Sequence, residues 1–197
     1  MRALGHRIDP DLVFRARREV HSLAYRVPGL DGGTNWDAIA RLQVSLLGIA
    51  ETFTDDLTRA ELESEQNVLR VNRPLLRVIE REQASGRRVI AVSDTYFSAK
   101  QLSELILAKS GLKLDCIYSS ADHRATKRSG ALFDLVIQNE CVSANQIIHV
   151  GDDFEADYIS ARTRGVDATH LVRSRLTRTL RKLDDVRLHV TSPIWVR

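Results

Sequence analysis

The spacing of apolar residues changes near residue 86 and divides the chain into two parts. Before that point apolar positions recur every three to four residues, the period of an amphipathic helix. Pro10 suits a first helical turn, and Leu12, Val13, Ala16, Val20, Leu23 and Ala24 follow at helical spacing. Pro28, Gly29, Gly32 and Gly33 break that run. A second helix is expected from about Asn35, with Ile39, Leu42, Leu46 and Leu47 on one side. Thr54 reads as the N-cap of a third, whose first turn gains from Asp55 and Asp56. Pro74 opens a fourth helix and Gly86 closes it.

Beyond residue 88 the pattern alternates. Val89-Ile90-Ala91-Val92 is a short continuous apolar run, as expected of a strand covered on both faces. A helix is predicted from about Ser98 to Ser110, then a strand at Cys116-Ile117-Tyr118 and a helix from about Arg128 to Glu140. Ile147-Ile148-His149-Val150 reads as a third strand, residues 154 to 164 as a helix, and Thr169 to Val172 as a fourth strand. This alternation predicts right-handed parallel crossovers in a three-layer α/β sandwich. A basic helix from Ser174 to Asp185 and a strand-like stretch from Val186 to Val196 complete the reading. The expected domains are therefore 1–85, helical, and 86–197, α/β.

Composition narrows the class without naming a reaction. The chain has 197 residues, 43% hydrophobic and 28% charged, with a net charge of +3, as in an ordinary soluble globular protein. The mild basic excess suits an anionic substrate. No dense Lys/Arg run with interleaved aromatics appears, so no nucleic-acid partner is expected. The Arg173 to Lys182 run reads as a solvated helix face. No apolar run approaches a membrane span and Met1 to Pro10 contain no signal-peptide core, so no membrane partner is expected. Cys116 and Cys141 suggest neither a disulfide framework nor a zinc site, which makes a reducing, cytoplasmic location the expectation.

The candidate chemistry lies after apolar runs and at helix starts. Ser93 and Asp94 end the first strand. Lys127 precedes Ser129-Gly130-Ala131-Leu132-Phe133. Asp152, Asp153 and Asp157 follow the third strand in Gly151-Asp152-Asp153-Phe154-Glu155-Ala156-Asp157. In a parallel sheet such positions share the edge where ligands bind. A hydroxyl with adjacent amides, a lysine and a carboxylate cluster together suit a phosphoryl group: the hydroxyl and amides bond its oxygens, the lysine neutralises it, and Mg²⁺ bridges carboxylate to phosphate. Taken singly, each motif also has a plain structural reading as a turn, a solvated lysine or a helix cap. His149 reads as a packed core histidine, His123 and Arg124 as a solvated loop, and Trp36 and Trp195 as packing residues.

Those three segments resemble the second, third and fourth motifs of the haloacid dehalogenase (HAD) superfamily: Val89 to Asp94, Thr126-Lys127-Arg128-Ser129-Gly130, and Gly151 to Asp157. The match covers about residues 86 to 172, and residues 10 to 85 are similar to the helical cap of many members. The resemblance implies a Rossmann-like HAD core with a parallel sheet and an N-terminal α-helical cap. It also implies a bacterial-type, Mg²⁺-dependent phosphoric-monoester hydrolase acting on a phosphorylated small molecule. Ser93 would bind phosphate beside Asp94, Lys127 would neutralise charge, and Asp152, Asp153 and Asp157 would serve the metal.

One part of the family pattern is missing. Members carry an Asp-x-Asp-x-Thr motif after a first strand, whose first Asp attacks phosphorus. Asp9-Pro10-Asp11 has the letters without the apolar strand, and Asp55-Asp56 sits at a helix start. Either the chain is a truncated form of an enzyme, or it is a non-catalytic HAD-like module that binds a phosphorylated ligand or a partner protein. The absent strand would leave sheet edges open. The segment Arg187-Leu188-His189-Val190, or a second chain in a homo-oligomer, could cover one. A receiver-like signalling domain is a third reading, opposed by the helical N-terminal half.

Overall fold

The structure is a computed structural model and describes residues 2–3, 6–26 and 34–172. The expected breaker cluster Pro28 to Gly33, the basic helix Ser174 to Asp185 and the strand-like Val186 to Val196 lie outside the described residues. The architecture is mixed α/β, mostly helical, with parallel strands. It forms two compact units, residues 1–141 and 142–197.

In the first unit, a short antiparallel pair, β1 (Arg2–Ala3) and β2 (His6–Arg7), precedes four helices. These are α1 (Pro10–Arg26), α2 (Trp36–Leu47), α3 (Thr54–Val68) and α4 (Arg73–Ala84). The Asn35 and Asn72 side chains cap α2 and α4 by accepting the Ala38 and Leu75 N–H groups. Thr54 is not the cap of α3. A single 3₁₀ turn, Glu51–Phe53, leads straight into that helix, and the Thr54 hydroxyl bonds back to the Glu51 carbonyl.

The apolar face of α2 also differs from expectation. Trp36, Ile39, Ala40, Gln43 and Val44 are buried, whereas Leu42 and Leu46 are 47% and 56% exposed. Placing Trp36 and Val44 inside rotates Leu42 outward and brings Gln43 in, where its Nε2 donates to the Val13 carbonyl.

Two parallel strands follow, β3 (Ile90–Ser93) and β4 (Cys116–Ser119), with Ile90 opposite Cys116 and Ser93 opposite Ser119. Helix α5 (Ala99–Ser110) joins them, opened by a reciprocal cap between Ser98 and Gln101 and closed by Gly111 in the left-handed conformation. A four-residue helix α6 (Ser120–His123) and α7 (Ala131–Glu140) complete the unit. One core joins its two parts: Val20, Trp36, Ile39, Ala40, Val44 and Leu57 pack with Phe97 and Leu105. At the start of β3, the Arg88 guanidinium pairs with Glu140, which also accepts from the Tyr118 hydroxyl at 2.8 Å.

The second unit holds the parallel pair β5 (Ile148–Gly151) and β6 (Asp167–His170). The connection is a six-residue π-helical stretch, Phe154–Ile159, continued by α8 (Ser160–Thr163). A plain α-helix was the expectation there, and β6 begins two residues earlier than its sequence pattern suggested. None of the helices among the described residues is long and apolar enough to cross a membrane.

Candidate functional site

Ser93 is the last residue of β3, and the chain then turns through Asp94, Thr95, Tyr96 and Phe97 before the Ser98 cap. Two buried serines from the end of β4 hold this turn. Ser120 Oγ accepts the Thr95 N–H at 2.9 Å and donates to the Thr95 carbonyl at 3.0 Å. Ser119 Oγ donates to the Phe97 carbonyl at 2.5 Å. Asp94 Oδ1 accepts the backbone N–H of Lys127 at 2.8 Å. That bond joins two sequence-predicted positions 33 residues apart, so Ser93, Asp94 and Lys127 belong to one edge.

The lysine turn is built by its neighbours. Thr126 Oγ1 accepts the Ser129 N–H at 3.1 Å, and Ser129 Oγ donates to the Thr126 carbonyl at 3.0 Å. Gly130, at φ +81°, turns the chain into α7, a conformation that a side chain would strain.

A cluster that the sequence did not reveal anchors the same turn from the helical side. The Arg17 guanidinium lies 4.8 Å from the Trp36 ring centre and 5.4 Å from that of Tyr96, in cation–π range of both. Arg17 donates to Glu61 Oε1 at 2.7 Å, and the Tyr96 hydroxyl donates to the same oxygen at 3.1 Å. The backbone N–H of Trp36 donates to the Tyr96 carbonyl at 2.7 Å. Burial and the nearby Glu61 charge push the Tyr96 phenol far above its ordinary value, so it stays a donor. Burial, then the neighbouring Glu61 charge, raises Glu65; burial, then the Arg17 charge, lowers His21. Residues from four separate segments of the chain create this arrangement, and no local motif signals it.

In the second unit, Asp152, Asp153 and Asp157 follow β5 as the sequence placed them. Their surroundings differ. Asp153 caps the π-helical stretch, its Oδ1 accepting the N–H groups of Glu155 and Ala156 at 3.0 and 2.9 Å. Asp157 is 2% exposed. Its Oδ2 accepts the Asp153 N–H at 2.9 Å, and its Oδ1 lies 3.0 Å from His149 Nε2. His149, a largely buried histidine as the sequence suggested, is thus also the partner of a buried carboxylate. Half-buried Asp152 has its carbonyl 3.3 Å from His170 Nε2. Among the described residues no three His, Cys, Asp or Glu side chains form a ready-made metal cage. His123 and Arg124 are exposed, at the end of α6. Trp36 is a packing residue, while Trp195 lies outside the described residues.

No family model matches the sequence, and no curated protein matches it. Among solved structures, the chain is similar to the 2-haloacid dehalogenase from Pseudomonas syringae pv. Tomato DC3000. The TM-score is 0.58 at 17% identity, over 82% of this chain and 68% of that one. Identity at that level speaks for architecture rather than chemistry: the chain has a haloacid dehalogenase-like fold.

Proposed function

We propose that the chain is a phosphatase-type hydrolase of the HAD superfamily, with the three-layer Rossmann-like core that its motifs imply, and that its site holds the phosphoryl group of a small molecule. The Asp94–Lys127 hydrogen bond carries this reading, because it brings the hydroxyl-bearing turn after β3 to the lysine turn. Backbone amides and the Ser93 hydroxyl would bond phosphate oxygens, and the Lys127 ammonium would offset their charge. By the family pattern, the acidic turn after β5 is where a metal would be held.

Mg²⁺ is the cofactor this reading implies. Asp152 fits it best as the first carboxylate beyond the strand end, while Asp153 Oδ1 and both Asp157 oxygens hold the turn together. Mg²⁺ commonly uses one or two carboxylates with water and substrate phosphate oxygens, and a single Asp152 suits that shell. When bound, the ion would neutralise charge on the phosphoryl oxygens.

A second reading rests on Asp9 and Asp11. Asp9 Oδ1 accepts the Asp11 N–H at 2.9 Å at the start of α1, so this pair belongs to a helix cap. With no other Asp-x-Asp-x-Thr candidate among the described residues, the chain by itself would bind a phosphorylated ligand without turning it over. A strand carrying that motif would find an open edge on either parallel pair, since among the described residues β3 bonds only β4 and β5 only β6. A second copy supplying such cover would make the protein a homo-oligomer.

The test is titration of the intact chain with inorganic phosphate or an aryl phosphate, followed by NMR, with Mg²⁺ present. Binding that perturbs the Ser93 and Lys127 amides and weakens at least tenfold in Lys127→Ala is the expected result. Adding an upstream strand ending in Asp-x-Asp-x-Thr should then give hydrolysis that Asp152→Asn abolishes. Shifts confined to other surfaces, or full activity in Asp152→Asn, would refute the assignment.

A further inference from the structure

We propose that His149 is a positioning residue for the acidic turn, acting on Asp152 through Asp157 and the Asp153 amide. Residues paired across a parallel ladder share a face, so His149 and Gly151 lie on the same side as Ala168 and His170. Opposite them, Ile148 and Val150 are 65% and 45% exposed. Asp157 reaches back over the His149 side. A Cβ on Gly151 would lie 2.2 Å from Asp157 Cγ, so glycine leaves the space that the carboxylate fills.

Three bonds then lock the turn. His149 Nε2 donates to Asp157 Oδ1, the Asp153 N–H donates to Asp157 Oδ2, and the Asp157 N–H donates to the Asp153 carbonyl at 2.7 Å. A carboxylate only accepts, so the facing histidine nitrogen carries a proton. The Asp153 N–H belongs to the peptide that joins it to Asp152. Fixing that peptide fixes the direction in which the Asp152 side chain leaves the chain. His170 Nε2, 3.3 Å from the Asp152 carbonyl, steadies the other side of the same residue. The two strands thus each contribute a histidine to the turn. Without His149, Asp157 Oδ1 would lose this bond, which frees the side chain to move away from the strand. That movement loosens the Asp153 amide.

The importance of this device for phosphate binding rests on the function proposed above, but its test does not. Amide hydrogen exchange is measured residue by residue in the intact chain, in His149→Ala and in His149→Gln, whose amide nitrogen restores a donor. In His149→Ala the Asp153 amide should exchange faster by about tenfold or more, the loss expected for a hydrogen bond to a charged group. The ladder amides of β5 and β6 should keep their protection, and His149→Gln should recover most of the Asp153 effect. Unchanged Asp153 exchange in a folded His149→Ala protein overturns the proposal. So does an equal loss across both strands with no rescue by glutamine. If His149→Ala does not fold, a scalar coupling through the hydrogen bond from the Asp153 amide nitrogen to the Asp157 carboxyl carbon tests the bond in the unmodified protein. Its presence supports the lock and its absence refutes it.

Discussion

Substituting Gly151→Ala tests the acidic turn with one methyl group. The new Cβ would sit 2.2 Å from Asp157 Cγ, 2.3 Å from Oδ2 and 2.6 Å from Cβ. Ordinary van der Waals contact begins near 3.4 Å, so one of the two groups must move by about an ångström. The strand cannot move easily, because Gly151 pairs with His170 and its carbonyl accepts the Leu171 N–H at 2.7 Å. Asp157 must therefore give way. Overpacking by one methyl costs about 1–3 kcal/mol. Displacing Asp157 also weakens its bonds to His149 and the Asp153 N–H, and each buried polar group left without a partner adds about 1–3 kcal/mol. Partial relaxation keeps the terms from adding in full, so a loss of roughly 2–4 kcal/mol is expected. Domains are commonly stable by about 5–15 kcal/mol, so the variant should fold but unfold at clearly lower denaturant.

The assay is urea unfolding of the intact chain with Gly48→Ala as the control. At Gly48, with φ +63°, an added methyl group would have nothing within 4 Å, so that substitution meets backbone strain alone, about 1–2 kcal/mol. Gly151→Ala should exceed it, and should shift the Asp153 and Asp157 amide resonances while Gly48→Ala leaves them in place. A Gly151→Ala protein within about 0.5 kcal/mol of the parent, with the Asp153 amide unmoved, would refute the packing argument.

The remaining expectations concern the first unit. Glu61→Ala removes the carboxylate shared by Arg17 and Tyr96, and should cost roughly 2–3 kcal/mol by thermal or urea unfolding; Tyr96→Phe should cost about 1 kcal/mol. His21 is lowered below its ordinary 6.5 by burial and then by the Arg17 charge, so the folded state binds its proton less readily than the unfolded chain. Its contribution is therefore complete above about 6.5 and declines as pH falls from there toward the folded value; His21→Gln should flatten that part of the stability curve. Glu65 runs the opposite way. It is raised above 4.5 chiefly by burial, so its contribution is present below that pH and is lost as pH rises through the folded value, and Glu65→Gln should remove that slope. Asp94→Ala takes the acceptor from the Lys127 N–H and should weaken phosphate binding severalfold with less than about 1 kcal/mol lost in stability, because Asp94 is exposed.

What was legible in the sequence was local. Continuous apolar runs between polar turns gave β3, β4 and β5 to within a residue or so, although in β5 Ile148 and Val150 are exposed on one face. The Ser98 and Gly111 boundaries of α5 followed from cap chemistry. Ser93, Lys127 and Asp152 became candidates because each stands directly beside a predicted strand or helix. The short α6 was not, since four residues make no periodic pattern. It is held by the Ser119 cap and by Asp122, whose carboxylate accepts the Ala99 N–H at 2.7 Å. Arg17, Trp36, Glu61 and Tyr96 were invisible as a group, because only the tertiary packing of α1, α2 and α3 with the turn after β3 brings them to one place. Leu42 and Leu46 misled the reading of α2 because two faces of that helix carry apolar residues, and the position of Trp36 decides between them.

The π-helical stretch shows how a motif can encode shape and chemistry together. A standard α-helix advances one turn in 3.6 residues, whereas the wider turn at Phe154–Ile159 accompanies an Asp157 that points back at His149 and the Asp153 N–H. Gly151 supplies the space, Asp153 supplies the cap, and Asp157 supplies the tie. Three of the four defining letters of Gly-Asp-Asp-x-x-x-Asp therefore have a structural task inside the turn. Carboxylates counted along the sequence overstate the charge such a turn offers a ligand, since those already bonded to N–H groups cannot move to a metal without breaking the turn. The fourth letter, Asp152, meets His170 through its carbonyl. On that division of labour, Asp157→Asn should disturb the geometry of the turn first and ligand binding as a consequence, whereas Asp152→Asn should alter ligand binding while the Asp153 amide stays protected.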